Sequence, residues 1–169
     1  MTDSFQNIAV TSFPDITKID FKSIDNRYLK VILINTSFIF IALFVIIFFI
    51  NYKDIFELAE YSLWLYLTLA IVYVSILFVK IIEFKKRKYA VREKDISYQK
   101  GYFLRSLTTV PFNRIQHVEI DEGPVSRFFS LVSLSVFTAG DSSEDLKISG
   151  LLKEEAEQMK EFISNKIDG

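Results

Sequence analysis

The sequence predicts an α+β membrane protein: two transmembrane helices, then a small domain of antiparallel strands capped by a C-terminal helix. Three observations predict it. Two uncharged apolar runs of spanning length stand close together in the first half of the chain. A succession of short β patterns separated by turns follows. The last element then changes from a period of two to the period of a helix.

Residues 31–50 read VILINTSFIFIALFVIIFFI and residues 61–79 read YSLWLYLTLAIVYVSILFV, neither with a charge. A bilayer's hydrocarbon core needs about 20 apolar helical residues, which both runs supply. Each is apolar on every face, and a soluble domain of this size has no core large enough to surround two such helices. Tyr28, Tyr52, Tyr61, Trp64 and Tyr66 lie near the predicted span ends, where amphipathic rings favour the interface. The polar side chains inside the spans include the small, neutral Asn35, Thr36, Ser37, Thr68 and Ser75. Such groups hydrogen-bond locally or across a helix pair; charged groups that would mark an ion or proton path do not occur in the two runs.

The first apolar run begins thirty residues in, is too long for a signal-peptide core and is followed by Asn51-Tyr52-Lys53, which reads against cleavage there. Orientation follows from flanking charge. Arg27 and Lys30 precede the first run, and Lys80, Lys85, Lys86, Arg87 and Lys88 follow the second. The loop between them carries Lys53 against Asp54, Glu57 and Glu60. The positive-inside rule puts both termini in the cytoplasm. The expected organisation is a cytoplasmic segment 1–30, spans 31–50 and 61–79 joined by an extracytoplasmic loop 51–60, and a cytoplasmic domain 80–169.

Within that domain, Tyr89–Arg92 and Ile96–Gln99 are candidate strands, and Lys100-Gly101 a tight turn into a strand Tyr102–Val110 that ends at Pro111. In Ile115–Glu122, Val118 and Ile120 alternate with His117, Glu119 and Asp121, and Gly123-Pro124 ends the pattern. Ser126–Ser130 is expected as a helical turn. Val132, Leu134 and Val136 alternate with serines as a half-buried strand, and after a polar turn Leu146–Ser149 is a last short one. Leu152, Ala156, Met159, Ile163 and Ile167 then recur on one helical face, with Glu154, Glu155 and Glu157 early and Lys160 and Lys166 late, as the helix dipole favours. This element order is that of a pleckstrin-homology-like β-barrel or sandwich capped by a C-terminal helix, and other α+β folds share it.

Specific runs strengthen that likeness. Tyr89-Ala90-Val91, Gly101-Tyr102-Phe103, the run from Val110-Pro111-Phe112 through Arg114-Ile115-Gln116 to Val118, Glu122-Gly123-Pro124-Val125, Arg127-Phe128-Phe129, Val136–Gly140 and Gly150-Leu151 together resemble the bacterial pleckstrin-homology-like membrane proteins, the YdbS-like family once filed as a domain of unknown function. Phe13-Pro14-Asp15 and Asp25-Asn26-Arg27-Tyr28 look like that family's lead-in to its first helix. Ser130 departs from the pattern, which usually has glycine before the fifth strand. The resemblance implies paired membrane helices carrying a cytoplasmic domain, with no established catalytic activity. It also suggests Pro111, Arg114, Ile115, Gln116, Gly123 and Pro124 as a family motif that shapes packing and turns, with a ligand contact as the alternative for the run from Arg114 to His117.

The residues themselves point the same way. Without cysteine there are no disulfides or thiolate metal sites, and one histidine excludes a multi-imidazole zinc site. No nucleophile–base set, glycine-rich phosphate loop or acidic metal motif is present, so no cofactor or metal is expected. Asp141, Glu144 and Asp145 lack calcium-loop spacing and read as an acidic turn. His117 reads as a solvated strand residue. A net charge of −1 names no nucleic-acid partner.

The charge is nevertheless divided. Residues 80–114 hold ten basic and three acidic side chains, and residues 115–169 five basic and eleven acidic. The expectation is a basic membrane-surface patch of Lys80, Lys85, Lys86, Arg87 and Lys88, extended by Lys94, Lys100 and Arg105, against an anionic inner leaflet. Two functions fit. One is a non-enzymatic binding or scaffold module whose domain engages lipid or a protein partner, including a second copy of itself. The other is a subunit of an envelope transport or stress-defence complex that works through its helices.

Overall fold

The computed structural model describes residues 20–53, 58–139 and 145–167. The lead-in Phe13-Pro14-Asp15, the loop charges Asp54 and Glu57, and the turn residues Gly140, Asp141 and Glu144 lie outside them. In chain order the elements are β1 (Lys22–Ser23), α1 (Arg27–Tyr52), a 3-10 turn (Leu58–Tyr61), α2 (Ser62–Phe84), β2 (Lys88–Val91), β3 (Asp95–Lys100), β4 (Ser106–Pro111), a second 3-10 turn (Phe112–Arg114), β5 (Ile115–Asp121), α3 (Pro124–Arg127), β6 (Leu131–Thr138), β7 (Leu146–Leu152) and α4 (Lys153–Ile167).

Both apolar runs are helices long and apolar enough to cross a bilayer, and both extend beyond the uncharged residues that predict them. α1 starts four residues early, with Asn26 at its N-cap; just before it, Asp25 Oδ1 accepts from the Arg27 amide at 2.8 Å, and the carboxylate pairs with the Arg27 guanidinium at 3.0 Å. Those bonds hold the Asp25 carboxyl below the usual carboxylate range. α2 runs on through Lys80 and Glu83 to Phe84, carrying the first basic residue of the predicted patch on the helix itself.

The domain consists of two antiparallel sheets, β1-β2-β3-β4 and β5-β6-β7, with α4 packed against β5, β6 and β7. Period-two residues build the core between them: Ile96, Tyr98, Leu134, Val136 and Ile148 meet Ala156, Met159 and Ile163 of α4. Burial pushes the Tyr98 phenol up, while the neighbouring Arg87 guanidinium pulls the other way. Two serines lie in this interior. Ser97 bonds Thr109 across β3–β4 at 2.8 Å, and Ser135 donates to Asp121 Oδ2 at 3.2 Å. β6 is therefore buried at Ser135 as well as at Val132, Leu134 and Val136, a denser pattern than simple alternation predicts.

Several expectations shift: β7 runs on to Leu152, which closes that strand and is not part of the α4 face. The strand predicted from Tyr102 begins at Ser106, because Gly101 at φ +89° turns the chain into an irregular loop over 101–105. The turn predicted at Ser126–Ser130 begins at Pro124, whose fixed φ suits a first helical position. Finally, β1 was not foreseen: it pairs antiparallel with β2, Lys22 with Tyr89 and Ser23 with Lys88.

Candidate functional site

The residues that join the helices to the domain form its most distinctive region. Ile24, between β1 and α1, and Phe84, the last residue of α2, are both buried in the domain core, with Tyr28, Leu29 and Ile32 packed beside them. The Asp25 amide donates to Gly150 O of β7 at 3.3 Å. Gly150 has φ +88°, and a Cβ there would lie 2.6 Å from Ile24 Cγ2 and overlap the Tyr28 ring, so only glycine allows β7 to come this close to α1. Glu155 of α4 completes the joint. It accepts from Tyr89 Oη at 2.5 Å and pairs with Lys22 Nζ at 2.6 Å, tying β1, β2 and α4 together. Burial, with the Glu155 carboxylate second, pushes the Tyr89 phenol far above its ordinary range. Residues 22–25 thus pack with the domain formed by β2 to α4.

The strand register sorts the predicted basic patch. Lys85 and Lys86 are exposed in the turn after α2, and Arg87 and Lys88 are half-buried as the chain enters β2. Lys88 pairs with Gln99, and Lys100 with Ser106, so Lys100 and the exposed Arg105 come back to the same end of the sheet. Lys94 does not join them. It lies in the β2–β3 turn at the other end, about 20 Å away at 3.3 Å per strand residue. There it neighbours Glu93, Pro111, Phe112, Asn113 and Lys166 around a surface depression of about 470 Å³.

The family-motif residues have the look of architecture. Pro111 closes β4, and the Phe112 amide donates to Lys94 O at 2.9 Å, burying the Phe112 ring. Ile115 is a core residue, Gln116 lies at a bulge opposite β6, and the exposed Arg114 accepts the Ala139 amide through its carbonyl at 3.3 Å. Gly123 and Pro124 open α3. Ser130 follows with φ +53°, the only non-glycine with positive φ among the described residues. His117 is exposed, stacks on Phe137 at 4.4 Å and lies 3.5 Å from Glu119.

In the spans, Thr36, Ser37, Thr68 and Ser75 each donate to the carbonyl four residues back at 2.8 Å. Ser37 Oγ also lies 2.8 Å from Tyr73 Oη of α2. With its own proton on Leu33 O, Ser37 accepts here and the tyrosine donates. Phe40 packs on Tyr73 and Phe44 on Tyr66, flanking a groove of about 480 Å³ between the helices.

Among the described residues no group of three or more histidine or carboxylate side chains is arranged to hold a metal ion. Sequence reasoning missed one exposed feature. Phe103 is 70% exposed and Leu104 88% in the β3–β4 loop, and Phe128 is 87% exposed after α3. The consecutive Tyr102-Phe103-Leu104, which breaks strand alternation, was the available signal.

Two apolar helices rooted in a two-sheet domain capped by a helix define a membrane protein with a pleckstrin-homology-like module. The chain matches the bacterial PH domain family over residues 28–167 and belongs to it. It is 30% identical over 91 residues to the UPF0699 transmembrane protein YdbS of Bacillus subtilis (strain 168), covering 54% of this chain and 55% of that one. It is 27% identical over 101 residues to the UPF0699 transmembrane protein YdbT of the same organism, covering 59% of this chain and 20% of that one. The matches thus span about half of YdbS and a fifth of YdbT. A crystal structure of a DUF1696 family protein with a pleckstrin-homology domain from Shewanella loihica is 19% identical, with a TM-score of 0.37 over 48% of this chain and 70% of that one.

Proposed function

We propose that this protein is a membrane-anchored, non-enzymatic binding module that presents its pleckstrin-homology-like domain at the inner face of a bacterial cytoplasmic membrane. Lipid headgroups or a protein partner bind the domain there. One observation carries the reading: the start of α1 and the end of α2 are both built into the domain, through β1 and Ile24 on one side and Phe84 on the other. A domain held this way stays at a fixed height and orientation on the bilayer, which suits a docking platform better than a tethered, freely swinging module. The charge at the helix roots supports the cytoplasmic assignment. Lys85, Lys86, Lys100 and Arg105 at one sheet end supply the surface for an anionic leaflet.

The test uses the full chain in its membrane, with photo-crosslinking residues placed one at a time on the domain, at Lys147 or Glu157, and on the helices, at Ile71 or Phe78. Adducts from domain positions support a docking platform. Adducts confined to helix positions would instead favour a subunit of an envelope transport or stress-defence complex, a reading supported by the aromatic groove between α1 and α2.

A further inference from the structure

The exposed side chains of the Tyr102-Phe103-Leu104 tip and Phe128 lie outside the domain core, yet both stand where the domain meets its helices. β2 leads away from the end of α2, and β3 returns antiparallel to it with Gln99 opposite Lys88. The loop 101–105 therefore projects past the level of Lys88, at the sheet end that α2 feeds. α3 lies against α1, whose Val31 is buried, so Phe128 stands beside the other helix root. The loop has a defined shape, since a Cβ on Gly101 would overlap the Leu104 carbonyl, which folds back over the glycine. Cations flank the apolar tip: Lys100 before it, Arg105 after it, and Lys85 and Lys86 at the base of α2.

Exposed aromatic and leucine side chains edged by lysine and arginine are the composition of a surface that lies in a bilayer interface. We propose that the β3–β4 tip and Phe128 form a two-point seat that dips into the interfacial layer of the bilayer crossed by α1 and α2, with Lys100 and Arg105 at the level of the lipid phosphates. The occupant of this surface is the bilayer, because the tip is continuous with the helix roots and its flanking charges complement anionic headgroups. This deepens the membrane-anchored reading and rests on it. Lys94, at the far end of the sheet, faces away from the seat and serves as its internal reference.

The chain has no cysteine of its own, so single labels can be introduced cleanly. Full-length Leu104→Cys, Phe128→Cys, Lys94→Cys and Ile71→Cys proteins would carry an environment-sensitive fluorophore. Each would be reconstituted into phosphatidylethanolamine–phosphatidylglycerol vesicles containing lipids spin-labelled at a shallow or a deep position. The expected result is several-fold stronger quenching by the shallow label at 104 and 128 than at 94, with deep quenching at 71. Quenching at 104 and 128 no greater than at 94, with 71 still quenched, overturns the seat and leaves the anchor standing. Quenching at only one of 104 and 128 overturns the two-point arrangement. A blue-shifted but unquenched label at 104 assigns the surface to a protein contact, and an unquenched label at 71 overturns the anchored reading itself.

Discussion

Gly150→Ala should detach the domain from the root of α1 while leaving the rest of its fold in place. Alanine at φ +88° carries roughly 1–2 kcal/mol of backbone strain. Its methyl group would meet Ile24 Cγ2 at 2.6 Å and the Tyr28 ring, and crowding of a packed site adds about 1–3 kcal/mol. The sum, about 2–5 kcal/mol, falls on the contact between β7 and residues 24–28. Even the lower figure corresponds to a roughly thirty-fold shift in a local opening equilibrium. Hydrogen exchange of the full chain in nanodiscs reads this directly, because the Asp25 amide donates to Gly150 O and β1 is held on β2 nearby. Protection of residues 22–28 should fall by that factor or more, with β6 and α4 changing little. Gly123→Ala is the control: its nearest contact would be Ser126 Oγ at 3.8 Å, and the effect should stay below about 1 kcal/mol. Unchanged protection at 22–28, or an equal loss across β6 and α4, would refute the reasoning.

Other substitutions test other parts of the fold. Ser130→Gly removes a side chain from a left-handed position and should raise stability by up to about 1 kcal/mol in detergent unfolding; a fall would contradict the assigned backbone. Tyr73→Phe and Ser37→Ala should each weaken the helix pair by about 0.6 kcal/mol, and a double-mutant cycle should show that the two losses are shared rather than additive. The buried Tyr89 and Tyr98 phenols, both raised, make the folded state hold protons that the unfolded chain releases. Their stabilisation is therefore complete below about pH 10 and lost as pH climbs past it, and Tyr89→Phe should flatten that alkaline decline in a pH series of unfolding midpoints.

Much of this architecture could be read from the sequence, and the reasons differ by element. The spans were legible because length and absence of charge suffice to specify them, while their ends were not, since residues 27–30 and the run to Phe84 extend helix into polar sequence. β6 and α4 announced themselves by period. β1 could not, because two residues, Lys22 and Ser23, carry no pattern and are held by backbone pairing alone. Nor could the linear run of basic residues reveal that a hairpin sends Lys94 and Lys100 to opposite ends of one sheet. Ile24 and Phe84 joined the core unannounced for a related reason: each is a lone apolar residue beside polar neighbours, meaningful only once the chain is folded.

The joint built from β1, Gly150 and Glu155 also sets how the helix pair can move. With the start of α1 and the end of α2 both joined to one sheet, the helix pair is held at its domain end like tongs at the hinge. Parting of the helices is opposed at the root, where Ile24 and Phe84 share the domain core. The Ser37–Tyr73 bond and the aromatic pairs beyond it then act as the catch along the arms, and a separation of the helices would reach the domain as a torque on β1 and β2.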